Sequence, residues 1–122
     1  MEAKIKLTKT MLDKSIIDAN KSVQEFLMEE FGVDYNHTFF GEINEITKKR
    51  NKLRIKGYYT DDTECIVTFY RTGTRGDKRI SIQKLKKYAD AGDEVRLSCD
   101  EHHAMSIIIQ VHKPLEDAED AA

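Results

Sequence analysis

Asp61, Asp62 and Glu64 put three carboxylates within four residues, the raw material for a divalent-cation site or an acid–base pair. They stand between two strand-like runs, where aspartates serve turn chemistry by accepting from an amide two residues on, and the turn is the expected role. A metal-dependent nuclease core needs an acid followed by a Glu/Asp-x-Lys on a neighbouring strand, and the tripeptide that fits is Glu2-Ala3-Lys4, at the very start of the sequence. His102 and His103 are adjacent, so a strand would turn them to opposite faces, and His37 and His112 have no partner nearby in sequence. Cys65 and Cys99 fall inside strand-like segments and are expected to be buried free thiols. No Cys-x-x-Cys or His-x-x-x-His spacing offers a zinc site. Gly73 and Gly76 lack the strand-to-helix spacing of a phosphate loop. These residues predict no catalysis, no metal and no cofactor.

Binding chemistry is better represented. The stretch Arg71-Thr72-Gly73-Thr74-Arg75-Gly76-Asp77-Lys78-Arg79 is a basic arm: arginine offers a planar fork matching guanine O6 and N7, threonines and amides donate to phosphates, and glycines let the backbone approach closely. The competing reading is a hairpin loop whose charges only keep it soluble. A second polar stretch, residues 8–15, carries Lys9, Thr10, Lys14 and Ser15. The formal charge of -2 hides an asymmetry: residues 48–87 hold thirteen Lys/Arg against four acids, leaving seven bases and eighteen acids elsewhere. A basic centre of this kind is an electrostatic footprint for nucleic acid, although solvated strand and helix faces would give the same count.

The elements that must position these residues follow from periodicity. Ile5 and Leu7 alternate with lysines as in a half-buried strand running into an exposed arm at 8–15, and Ile16-Ile17 is a short second strand. Ser22 and Glu25 have capping-box spacing, Val23, Phe26, Leu27 and Phe31 share one helical face, and Gly32 ends the helix. Period-two patterns then mark antiparallel strands at 39–46, 52–59 and 63–70, with the turn at Thr60-Asp61-Asp62. A brief strand at 79–81 leads to a short helix through Ile82, Leu85 and Tyr88, with Lys84, Lys86 and Lys87 outward, ending before Gly92. Val95, Leu97 and Cys99 share a strand face, and residues 105–111 close a hairpin. The expected fold is mainly β with two helices (α+β): a seven- to eight-stranded open pseudobarrel with short helices at its ends.

The 122 residues, 39% hydrophobic and 34% charged, suit one folded domain, expected over 1–113, with 114–122 an acidic disordered tail. No apolar run approaches membrane-spanning length and the start lacks a signal-peptide core, so a cytoplasmic protein is expected.

The order of elements over residues 4–111 resembles the DNA-binding pseudobarrel superfamily, which holds the plant B-three domains and the effector-binding N-terminal domain of EcoRII-type restriction endonucleases. The residues that carry the resemblance are Lys6-Leu7-Thr8-Lys9-Thr10-Met11-Leu12 with Ile16-Ile17 and the first helix, and, later, Val67-Thr68-Phe69-Tyr70, a polar arm, Arg79-Ile80-Ser81-Ile82 and Ala91-Gly92-Asp93-Glu94-Val95-Arg96-Leu97. Ile17-Asp18-Ala19 stands where many members carry Ile-Pro, and the second helix lacks the Gly-Trp of the plant proteins, which favours the bacterial or phage branch. The resemblance implies sequence-specific double-stranded DNA binding without catalysis, as a free-standing protein or as a targeting or effector domain of a restriction-modification protein with its nuclease domain elsewhere. Two arms would enter the major groove: Lys9, Thr10, Lys14 and Ser15 on one, Arg71, Thr72, Thr74, Arg75, Lys78 and Arg79 on the other, with Lys48, Lys49 and Arg50 near flanking phosphate. The alternatives are a protein-interaction module or inhibitor on the same barrel, and a single-strand binder using Tyr58, Tyr59 and Tyr70.

Overall fold

The computed structural model describes residues 1–36, 52–72, 76–100 and 105–114. Alternation decides most of the sheet: Ala3 and Ile5 point inward and Lys4 and Lys6 outward on β1 (Ala3–Lys6), and Cys65, Val67 and Phe69 line the inner face of β4 (Glu64–Arg71). Between β1 and β2 (Ile17–Asp18) lies a helix, α1 (Lys9–Lys14), and α2 (Lys21–Phe31) follows. The remaining elements are β3 (Lys52–Tyr59), β5 (Lys78–Ile82), α3 (Leu85–Tyr88), β6 (Glu94–Cys99) and β7 (Ile107–His112).

The described strands form one curled, open seven-stranded sheet in the order β1-β6-β7-β3-β4-β5-β2. The meander β3–β4–β5 and the hairpin β6–β7 are antiparallel, and the two halves meet where β3 runs parallel to β7, pairing Gly57 with Ile107 and Tyr59 with Ile109. Val23, Phe26 and Leu27 of α2 pack into the trough of the sheet with Ile5, Leu7, Phe69, Ile80, Leu97 and Ile109, each side chain contributing about 1.5 to 3 kcal/mol by leaving water. This is the open pseudobarrel that the alternation predicts, with three helices among the described residues in place of two.

Two local expectations are corrected. The stretch 8–15 is not an extended arm: Thr8 accepts from the Met11 amide at 3.2 Å, capping α1, and Ser15 ends it in the left-handed region at φ 54°. Met11 and Leu12 tuck against the core, and two apolar residues facing the sheet suffice to make a polar stretch helical. The cap of α2 is Asn20, whose Oδ1 accepts from Val23 N at 3.0 Å, and not Ser22. Ser22 Oγ instead accepts from the Lys4 amide, while Asn20 Nδ2 donates to the Lys4 carbonyl at 2.9 Å. These two side chains tie the β1 edge to the segment leaving β2, without a strand ladder between the two edges. Cys65 is buried and Cys99 half-buried, and both are free thiols. The expected strand at 39–46, the turn at 47–51 with Lys48, Lys49 and Arg50, and the acidic residues 115–122 lie outside the described residues.

Candidate nucleic-acid interface

The two ends of the second arm are tied to each other. Thr72 N donates to the Asp77 carbonyl at 2.9 Å, Gly76 N to the Thr72 carbonyl at 3.0 Å, and Asp77 N to Thr72 Oγ1 at 2.8 Å. Arg71 braces it from inside: Nε donates to the Gly76 carbonyl at 2.8 Å and Nη1 to the Tyr35 carbonyl at 3.3 Å. Gly76 is buried at φ +72°, a conformation that favours glycine, and a Cβ there would stand 2.6 Å from Arg71 Nη2, so the guanidinium lying over it would have to shift.

Arg79 has a similar internal role. Its side chain is 17% exposed, with Nε 2.9 Å from Asp18 Oδ1, an ion-pair distance without hydrogen-bond alignment, and Nη2 bonded to Asp77 Oδ2 at 3.2 Å. The Arg79 carbonyl accepts from the buried Tyr35 hydroxyl at 2.9 Å, and burial holds that hydroxyl far above its ordinary pKa. Lys78 is half-buried, with Nζ 3.3 Å from Gln24 Oε1. Arg71, Thr72 and Arg79 are therefore held by the protein itself, and Thr74 and Arg75 lie outside the described residues.

Lys9, Thr10, Lys14 and Ser15 are exposed on α1 and its cap. The β2–β5 ladder is antiparallel, pairing Ile17 with Ile80 and Asp18 with Arg79. The α1 end of β2 consequently meets Ser81 and Ile82, while Gly76, Asp77 and Lys78 flank its other end, near Ala19. The two arms are expected to project from the same rim of the sheet; at the β2–β5 ladder they instead approach from opposite ends.

What the fold does bring beside α1 is α3. Met11, Leu12, Ile17, Ile82 and Leu85 floor a groove of about 300 Å³ whose rim carries Ser15, Ser81, Lys84, Lys86 and Lys87. Lys86 and Lys87 are exposed, and Lys84, at φ 66°, reaches back to the Glu64 carbonyl at 2.9 Å. Lys9 and Lys14 are exposed on α1, whose Met11, Leu12 and Ser15 line the same groove, and none of these five lysines is ion-paired among the described residues. The sequence marked the three α3 lysines as outward; their nearness to α1 depends on the β2–β5 pairing, which joins residues more than sixty positions apart and has no local signal.

The other candidate chemistry resolves into structure. Thr63 N donates to Asp61 Oδ1 at 3.0 Å, and the hydrogen bonds from Thr63, with one from Tyr88, hold the exposed Asp61 carboxyl below its usual pKa. Tyr59 is buried, stacked on Tyr88 at 3.8 Å, with its hydroxyl donating to the Gln83 carbonyl, so the tyrosine trio expected for a single-strand platform is broken up. No group of His, Cys, Asp and Glu among the described residues could hold a metal ion, and no helix among them is long and apolar enough to cross a membrane. His37, His102 and His103 lie outside the described residues.

The Gly92-Asp93 motif is a keystone of the fold. Gly92 N donates to the Leu7 carbonyl and Leu7 N to the Asp93 carbonyl, each at 2.8 Å. Asp93 Oδ2 accepts from Asp90 N at 2.8 Å and from Lys113 Nζ at 2.6 Å. The motif thus fastens the end of β1, the turn before β6 and the end of β7.

No protein-family model matches the chain, and no curated protein matches it. Among solved structures, the fold is similar to the N-terminal domain of Helicobacter pylori LlaJI.R1, with a TM-score of 0.50 at 10% identity, covering 99% of this chain and 97% of that one. At that identity the likeness is one of fold.

Proposed function

We propose that this chain is a non-catalytic, sequence-specific binder of double-stranded DNA, of the DNA-binding pseudobarrel type, and that it serves as a targeting or effector domain of a restriction-modification protein. The observation that carries the reading is the placement of Lys84, Lys86 and Lys87 around the groove beside α1, with Lys9 and Lys14 exposed on α1 itself and no ion pair for any of the five among the described residues. Exposed lysines without counter-charges suit a phosphate backbone, because neutralising a polyanion releases its condensed counterions. The likeness of fold to the N-terminal domain of a longer protein is compatible with a module whose chemistry lies elsewhere.

In this reading α1, with Lys9 and Thr10 at its start and Lys14 and Ser15 at its end, lies at the groove of the duplex, and base readout is assigned to Arg75 of the second arm, whose guanidinium type matches guanine O6 and N7. Selection from a randomised duplex pool at two salt concentrations tests it. The expected outcome is an enriched site and an affinity that falls steeply with salt, with no cleavage. Arg75→Ala is expected to relax one base position at a cost of about 1 to 3 kcal/mol, and Lys9→Ala with Lys14→Ala to weaken all sequences alike. A pool that emerges unenriched, with no salt-dependent binding, would point to a protein partner and overturn the reading.

A further inference from the structure

The outward face of β3 carries a row of cations that neither arm uses. Lys52, Arg54 and Lys56 alternate with inward residues and are all exposed. Their cross-strand neighbours on β4 are Tyr70, Thr68 and Ile66, so no acid opposes them where an exposed sheet commonly places one. None of the three is ion-paired among the described residues; Lys52 Nζ sits over the Tyr70 ring, 5.2 Å from its centroid.

Position adds to composition. Successive outward residues of a strand are about 6.8 Å apart, so the row is about 14 Å long, the axial length of about four phosphates on one strand of a duplex. It also adjoins the lysine groove. Ile66, opposite Lys56, is bonded to Gln83 through both its amide and its carbonyl, and Gln83 leads into Lys84 and α3. Two strand spacings, about 10 Å, separate Lys56 from Gln83 just past β5, with Ile66 between them and the exposed Glu64 diagonal to Lys56 on β4.

We infer that the outward face of β3, through Lys52, Arg54 and Lys56, is a second contact surface for duplex DNA that follows one sugar–phosphate strand beyond the groove-facing elements. This rests on the duplex-binding reading and deepens it: the face supplies affinity and salt dependence but no base preference, because phosphates carry no sequence information.

The test compares the full chain with Lys52→Gln/Arg54→Gln/Lys56→Gln on the enriched site set within a 30-base-pair duplex, by fluorescence anisotropy across a salt series. The plot of log affinity against log salt should become shallower by about 2 to 3, at about 0.9 per lost phosphate contact, while the base preference from pool selection stays unchanged. Lys52→Arg/Lys56→Arg should retain the wild-type slope, and a thermal melt of each variant verifies folding; if the triple variant melts early, Arg54→Gln alone should lower the slope by about 0.9. Wild-type binding with an unaltered slope in a folded neutral variant overturns the inference and leaves the duplex reading standing. Failure of the wild type itself to bind any duplex overturns both.

Discussion

At the residue scale, the divide falls between cations that the protein uses internally and cations that it leaves to solvent. Residue type alone made Arg71 and Arg79 look like base readers, and type cannot reveal that Tyr35 and Gly76 present carbonyls to one and Asp18 and Asp77 carboxylates to the other. Lys9 and Lys14, by contrast, are exposed on α1 with no ion pair among the described residues. Asp93 gives a pH prediction. Burial pushes its carboxyl up, but the Asp90 amide and the Lys113 ammonium outweigh that, and the net pKa lies below the ordinary value. A depressed carboxyl stabilises the fold above the unfolded-state pKa, about 3.9, and that contribution is lost as pH falls through the folded value. Asp93→Asn keeps an acceptor for Asp90 N but removes the charge facing Lys113. The variant should be less stable than wild type at pH 7 in urea titrations, with the gap closing as pH is taken below 4. A gap constant across that range would mean that the charge does not contribute.

At the element scale, the strands read well and the short connections did not. Period-two alternation located β3, β4, β6 and β7 to within two residues at either end, since each has one face in the core and one in water. It misjudged residues 8–15, where six residues carry too few apolar positions for helical periodicity to stand out, and the helix is completed by capping and by its contact with the sheet. The capping-box spacing at Ser22 and Glu25 was real but outcompeted, because Asn20 can cap α2 and bond the Lys4 carbonyl at the same time. Asn20→Ala removes both bonds and should cost about 1 to 2 kcal/mol, measured by chemical denaturation. Asn20→Asp keeps the cap and loses only the Nδ2 donor, so it should cost less than the alanine variant. Equal losses in the two variants would assign the effect to the edge contact and not to the cap.

At the scale of the whole molecule, the sequence announces two antiparallel groups of strands but not how they join. Hairpins reveal themselves through turns, whereas the parallel pairing of β3 with β7 unites positions about fifty residues apart and has no turn to signal it. Gly57 marks that seam. Its φ needs no glycine, but a Cβ there would lie 3.1 Å from a Val67 methyl, 3.2 Å from Cys65 Sγ and 3.2 Å from Ile109 Cδ1, tying β4, β3 and β7 to one close approach. Gly57→Ala gives the strand a better β-former, and by propensity alone it should stabilise. Overpacking a seam whose three close neighbours come from the strands on either side, β4 and β7, costs more, about 1 to 3 kcal/mol, so the net effect should be a loss of stability in urea. The lysine groove lies across β4 and β5 from the seam, and the folded fraction of Gly57→Ala should therefore bind duplex as wild type does. A variant more stable than wild type would show that the seam yields, and that β3 and β7 are held less closely than these contacts imply.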